Sequence, residues 1–275
     1  MGYNPLVSII TVCYNSEKNI RDTIESVLNQ SYDNIEYVIV DGGSTDNTIN
    51  IIKEYEPSFK EKMRWVSEPD EGIYDAMNKG IDLANGEIIG IINSDDWYEI
   101  CAVEKVVDKF KESDADVVYG DLYKVIPETS ERYIRTGDLS HKKISKIRLN
   151  HPTLFVKKGI YDKLGVFNTN YPVSADLDLI IRFLYHDVSF VRVPAALANF
   201  RLGGISSEKS IIFQLHRLSR KYKILRNNKV PYHETIYLIS TTLMSSLRDY
   251  FILKVFGRNF FNRLRNIRYN IFNPP

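Results

Sequence analysis

Two adjacent carboxylates at the end of an apolar run are the residues of this sequence best suited to chemistry. Asp95 and Asp96 follow Asn93-Ser94 and the stretch Ile88-Ile89-Gly90-Ile91-Ile92. Such a stretch predicts a buried strand, and its abrupt acidic end places charge at the rim of a sheet, where α/β proteins bind ligands. Paired carboxylates there suit a hard divalent cation shared with a diphosphate. The competing reading is a solvated turn in which Asp96 caps the next helix. A second candidate is Asp41-Gly42-Gly43-Ser44-Thr45-Asp46, between a strand and a helix. Its glycines permit a tight turn, the helix start favours anionic groups, and Asp41 could accept hydrogen bonds from a base or ribose. The same residues also make an ordinary strand-to-helix turn. Between Glu68 and Gly80, Asp75, Asn78 and Lys79 share one helical face. Lys79 could meet a phosphate there, or simply pair with Asp75. Asp176-Leu177-Asp178 opens a helix; a carboxylate over a cleft is what general-base chemistry on a hydroxyl requires, although acids are favoured in a first helical turn anyway. His151, before Pro152, is either functional or a satisfied structural histidine. No Ser-His-Asp set, Walker loop or zinc-ligand spacing is present.

The elements that must position these residues alternate. Val7 to Val12 and Ile35 to Val40 are β-rich runs, Met63 to Ser67 a shorter one, and each precedes apolar residues at helical spacing: Ile20, Ile24, Val27 and Leu28; Ile49, Ile52 and Tyr55; Tyr74, Met77, Ile81 and Ala84. The 88–92 strand, a helix through Val103, Val106, Val107 and Phe110, and a strand at 116–119 follow. Alternation of this kind predicts a parallel, doubly wound sheet. After Gly120 the pattern loosens to two strands around Pro127-Glu128-Thr129-Ser130, a helix from 176 to 185 and a strand at 188–193. From Ser207 onward everything predicts helix, with breaks near Asn227-Asn228 and Gly257.

The 275 residues suffice for one substantial core and a small appendage, and 44% hydrophobic with 26% charged residues is ordinary for a globular protein. The net charge of +1 hides an asymmetry. From Ile205 onward there are 13 lysines and arginines against three acids, a tail of +10 on a body of −9. Cys13 and Cys101 lie far apart without metal-ligand spacing and fit a reducing, cytoplasmic compartment. No signal peptide is expected, because Met1 to Pro5 leads directly into a strand. Thr235 to Leu247 is shorter than the roughly 20 residues a spanning helix needs, so no transmembrane segment is expected.

Four segments taken in order carry a resemblance: Ser8-Ile9-Ile10-Thr11-Val12-Cys13-Tyr14-Asn15, Val40 through Thr48, Gly86-Glu87-Ile88 through Asp96, and Ala175-Asp176-Leu177-Asp178-Leu179. Together they resemble the family-2 glycosyltransferases, inverting enzymes that use nucleotide-activated sugars. The likeness covers residues 5 to 204. It implies the GT-A fold, a Rossmann-like doubly wound, mostly parallel mixed sheet flanked by helices, here with a helical extension over 205–275. Glu68 to Gly80 and Phe200 through Ser206 look like the subgroup that builds bacterial polysaccharides such as colanic acid, amylovoran and O-antigen. Carried over by position, Asp41 holds the nucleobase, most often uracil, and Thr11 and Tyr14 line its pocket. Asn93 and Asp95 stand in the DxD motif, with Asp95 and Asp96 contacting ribose and binding Mg²⁺ or Mn²⁺ against the diphosphate. Asp176 matches the catalytic base. Two departures are visible. Asn93 replaces the first acid of DxD but keeps an oxygen ligand, and Ala175 replaces the glutamate before the base, which leaves Asp178 open as an alternative. The processive Gln-x-x-Arg-Trp motif is missing, which implies one sugar added per binding event.

The expected partners are a nucleotide-sugar donor, UDP-sugar first, and a glycan or lipid-linked acceptor. Basic residues of the tail, Arg217 to Lys229 and Arg258 to Arg268, lie among apolar ones and could rest on the anionic inner face of a membrane. Packing on the body or on a second subunit is the alternative. No nucleic-acid module accompanies the charge. Two other functions stay open: a non-catalytic nucleotide-sugar sensor or scaffold, and a sugar-1-phosphate nucleotidyltransferase, for which the glycine-rich phosphate loop is missing.

Overall fold

Four strands form the parallel half of one sheet: β1 (Val7–Cys13), β2 (Ile35–Asp41), β3 (Met63–Ser67) and β4 (Ile88–Asn93), in the order β3-β2-β1-β4. They belong to a computed structural model that describes residues 3–139, 149–203 and 211–272. Every residue of β1 and β2 is buried, which is why both read as unbroken apolar runs: helices cover both faces of a parallel sheet. On one face Val7 and Ile9 join a core with Ile20 and Ile24 of α1 (Ile20–Leu28), Ile51 and Ile52 of α2 (Thr48–Tyr55), and Val103, Val106 and Phe110 of α4 (Ala102–Glu112). On the other, α3 (Ile73–Leu83) packs on β1 and β2. The register sets Cys13 beside Asp41 and Val12 beside Asn93, so one edge of the sheet gathers the ends of three strands.

The second half is mixed. β8 (Leu154–Lys157) runs antiparallel between β4 and β6 (Val117–Val125). β9 (Phe190–Arg201) lies parallel to β6, and the short β5 (Trp97–Tyr98) closes the far edge against β9. β7 (Arg132–Arg135) forms the expected hairpin with β6 around residues 126–131. Three expectations needed correction here. β6 does not stop at Tyr119 but continues through Gly120, because a Cβ at Gly120 would lie 2.5 Å from Leu197 Cγ on β9, and glycine alone admits that approach. β8 and the following α5 (Lys158–Leu164) were not anticipated, and β9 is twice the strand expected.

The chain divides into two compact units, one of Met1–Leu139 and Arg148–Leu202, the other of Ser140–Ile147 and Gly203–Pro275. In the second, α7 (Ile211–Asn227) packs on α8 (Tyr232–Phe272), with Leu218, Ile224, Leu225, Val230 and Leu238 buried and Lys221 Nζ donating to Thr242 Oγ1 at 2.9 Å. The expected break at Gly257 does not occur: α8 is continuous, since one glycine costs a long helix only about 1 kcal/mol. Among the described residues no helix is long and apolar enough to cross a membrane. Gly204, Ile205 and Ser206, and the side chains of Ile211, Ile212, Leu215, Phe256, Arg258, Arg263, Arg265 and Arg268, lie outside the described residues.

Candidate active site

Three loops leave the gathered edge of the sheet and are stitched to one another. Asn15 takes a left-handed conformation (φ 48°), which lets its backbone N–H donate to Ser44 Oγ (2.8 Å) and its side-chain oxygen accept from Thr45 N–H (2.9 Å). Ser16 N–H donates to Thr48 Oγ1 (2.8 Å), and Ser16 and Ser94 share a hydroxyl contact of 2.8 Å. The Ser-Thr-Asp-Asn-Thr segment therefore spends most of its polar atoms holding the loop after β1 in place.

Asp41 is the centre of this stitching. It has no exposed surface, and its carboxylate accepts from Gly43 N–H (3.0 Å), Ser44 N–H (2.9 Å), Ser44 Oγ (2.5 Å), Ser67 Oγ (2.8 Å) and Cys13 Sγ (3.5 Å). A carboxylate has about four lone-pair positions, and these donors fill them. The expectation that Asp41 faces a nucleobase is thus corrected: it organises its own loop. Thr11 is likewise enclosed within β1, its hydroxyl accepting from Tyr37 Oη at 3.0 Å, so it lines no open pocket. Tyr14 does the opposite and presents its ring to solvent.

At the end of β4, Asp95 is half-buried and Asp96 wholly buried. Burial, then the neighbouring Asp95 charge, pushes the Asp96 carboxyl well above the usual range; burial also raises Asp95, against the pull of Arg201 and His151. Asp96 Oδ1 accepts Arg201 N–H at 3.0 Å, while Asp96 Oδ2 and Asn93 Oδ1 are buried without hydrogen-bond partners. Two orphaned oxygen acceptors, with Asp95 beside them, form the donor set a hard cation takes, so the residues present fit Mg²⁺ or Mn²⁺. Among the described residues no three His, Cys, Asp or Glu side chains converge on one point, so a substrate diphosphate would have to complete the shell. Arg201 braces this turn from β9, donating to Asp95 O (3.1 Å) and Asp22 Oδ2 (2.7 Å), with its guanidinium 4.9 Å from the Trp97 ring centroid.

Asp176 lies at the first turn of α6 (Ala175–Leu184). Its Oδ1 accepts from Tyr74 Oη (3.1 Å) and Leu177 N–H (2.8 Å), while Oδ2 takes no hydrogen bond from any described residue. Tyr74 comes from the 68–80 segment, and its ring stacks on Phe167 with centroids 5.3 Å apart. Asn78 locks that loop by donating to Phe167 O and accepting Phe167 N–H, both at 2.9 Å. Burial and then the Asp176 charge push the Tyr74 phenol upward, so it stays a donor. Asp178 is buried and bound to Arg182 at 2.8 Å, which fits a structural role rather than that of a base. His151 is the remaining titratable residue near these groups. Burial lowers it, the charges of Asp176 and Asp95 oppose that, and its Nε2 is buried without a partner. His151 and Asp176 line one cleft with Ile91, Leu154, Phe167 and Leu179.

Lys79 is engaged by Glu68 (2.9 Å), Asp75 (3.4 Å) and Pro69 O (3.1 Å), the ion-pair alternative rather than a free phosphate ligand. Sequence reasoning missed Tyr74 and Arg201, and named Asn78 only as sharing a helical face with Asp75 and Lys79. The polar density of the 68–80 helix was the signal available for Tyr74 and Asn78, and a cation after a strand for Arg201.

Residues 8–167 match the family model described as Glycosyl transferase family 2. A PGL/p-HBAD biosynthesis glycosyltransferase of Mycobacterium tuberculosis is 31% identical over 207 residues, which cover 74% of this chain and 80% of that protein. A chondroitin synthase of Escherichia coli is 31% identical over 189 residues, 65% of this chain but only 26% of that one. Among solved structures, S. aureus TarS 1–349 in complex with UDP-GlcNAc superposes with a TM-score of 0.65 at 18% identity, over 86% of this chain and 71% of that chain. The mannosyltransferase PcManGT from Pyrobaculum calidifontis, in complex with GDP-Man and Mn²⁺, gives 0.63 at 16% identity over 99% and 82%. The helix-flanked mixed sheet is the arrangement these GT-A structures share.

Proposed function

The chain belongs to glycosyltransferase family 2, and from that premise we propose that it moves one sugar, with inversion, from a UDP-sugar to a hydroxyl of a glycan or lipid-linked acceptor in cell-surface polysaccharide synthesis. The observation that carries this reading is Asp176 in the cleft that it lines with His151: its Oδ1 is held by Tyr74 and Leu177, while Oδ2 takes no hydrogen bond from any described residue. In this reading Asp176 Oδ2 takes the proton of the acceptor hydroxyl as that oxygen attacks the anomeric carbon from the side opposite the leaving diphosphate. Tyr74 and Leu177 fix the other oxygen, so the receiving lone pair is pre-aimed. Asn93, Asp95 and Asp96 would hold Mg²⁺ or Mn²⁺, which supplies positive charge against the leaving diphosphate when bound. The polysaccharide subgroup rests on the 68–80 segment, whose Tyr74 and Asn78 build the base's surroundings, and on the chondroitin synthase among the relatives.

A lipid-linked acceptor is supported by the charge of the tail and by Tyr237, Met244, Leu247 and Phe251 standing exposed on α8. Basic residues near an anionic bilayer contribute about 1 kcal/mol each. Calorimetry with UDP, GDP, ADP and TDP, with and without Mn²⁺, tests the central reading. Metal-dependent binding of UDP is expected; a folded protein that binds none of them is a scaffold.

A further inference from the structure

With Asp41 turned into its own loop, the base pocket lacks the acceptor that the sequence assigned to it, and the next residue, Gly42, has no side chain. The space beside Gly42 is nevertheless filled. A Cβ built there would lie 2.3 Å from Asp70 Oδ2 and 3.5 Å from Tyr14 Cδ2. A carboxylate from the loop between β3 and α3 thus stands over the end of β2, with an aromatic ring beside it. Asp70 Oδ1 accepts Gly72 N–H at 2.8 Å, which anchors the side chain, while Oδ2 takes no hydrogen bond from any described residue. The Tyr14 ring, a large apolar surface, is 62% exposed. Resting on the nucleotide-sugar reading, we propose that Asp70 Oδ2 reads the nucleobase by accepting the N3–H of uracil, with the base lying against Tyr14.

An ionised carboxylate only accepts hydrogen bonds. Uracil offers it a single N–H flanked by carbonyls. Cytosine and adenine place a bare ring nitrogen at the matching position, which the carboxylate repels. Guanine offers two parallel N–H groups and is best met by both oxygens of one carboxylate, but Asp70 Oδ1 is already taken by Gly72. Glycine at position 42 follows from the same geometry: any side chain there would push Asp70 out of place. The reading also gives the 68–80 segment two tasks, base recognition at Asp70 and support of Asp176 at Tyr74.

Titration calorimetry of the full chain with UDP, N3-methyl-UDP and GDP in the presence of Mn²⁺ tests it. The wild type should bind UDP at least tenfold more tightly than N3-methyl-UDP, and more tightly than GDP. Asp70→Asn should weaken UDP about tenfold and leave N3-methyl-UDP unchanged, so the preference collapses. Gly42→Ala, which leaves Asp70 itself intact but displaces it, should do the same. Equal binding of the two uridine nucleotides by the wild type, tighter binding of GDP, or a preference that survives Asp70→Asn overturns the assignment while the nucleotide-sugar reading stands. Binding of no nucleotide at all removes both.

Discussion

Tyr74→Phe isolates one hydrogen bond to the proposed base. The variant keeps the ring, and therefore the stack on Phe167 with its 5.3 Å centroid separation, and deletes only the hydroxyl that reaches Asp176 Oδ1 at 3.1 Å. A hydrogen bond to a charged group contributes about 1.5–3 kcal/mol. Asp176 is half-buried and keeps the Leu177 N–H at 2.8 Å, so the lower end applies, about 1.5 kcal/mol. If Asp176 is aimed by this bond, the loss falls on the chemical step and appears as about a tenfold fall in kcat. KM for the donor should stay within about twofold, because the deleted hydroxyl bonds Asp176 rather than the Asn93–Asp96 turn. The unfolding free energy should drop by about 1 kcal/mol, whereas Tyr74→Ala, which also loses the stack, should drop it by about 3–5 kcal/mol. Steady-state transfer kinetics alongside urea denaturation separate these effects. A Tyr74→Phe enzyme with wild-type kcat would refute the aiming of Asp176, and so would a loss confined to donor KM.

Two further outcomes concern the frame. Glu36 at the start of β2 is 9% exposed and accepts from Ser8 Oγ, Gly86 N–H (3.0 Å), Asn85 N–H and side-chain amide (3.1 Å), and Arg64 (3.2 Å). Burial alone would raise its carboxyl, but these bonds outweigh it and hold it below the ordinary 4.5. A depressed carboxylate contributes stability that is complete above its unfolded value and is lost as pH falls through the folded one. Glu36→Gln should therefore cost about 2–3 kcal/mol at pH 7, with the gap closing in denaturant melts below about pH 4; a pH-independent gap would contradict this. Asp178→Asn should destabilise by about 1.5–3 kcal/mol by removing the charge partner of Arg182, whose guanidinium keeps the carbonyls of Leu164, Gly165 and Val166, with transfer by the remaining folded enzyme within about threefold of wild type. A stable Asp178→Asn protein without activity would return Asp178 to the role of base.

The parallel half of the fold was legible because both faces of β1, β2 and β4 are buried, which leaves uninterrupted apolar runs that end where the sheet ends. β8 was not: Leu154-Phe155-Val156 is three apolar residues long, too short to show a period, and only its neighbours on both sides make it a strand. The acids at strand ends were found by position, yet position cannot tell an outward carboxylate from one folded into its own loop, and Asp41 proved to be the second kind. Asp176 and Asp178 differ already in the sequence. Asp178 has Arg182 four residues on, the spacing of a helical ion pair, and Asp176 has no such partner. The bond from Tyr74 to Asp176 spans 102 positions and leaves no local trace.

The most direct test of the account is Asp176→Asn, assayed for both donor binding and sugar transfer. The account predicts that metal-dependent UDP binding stays at the wild-type level while transfer falls by about 10²–10⁴, the contribution of a positioned general base. Transfer within about threefold of wild type by a folded Asp176→Asn protein would contradict it.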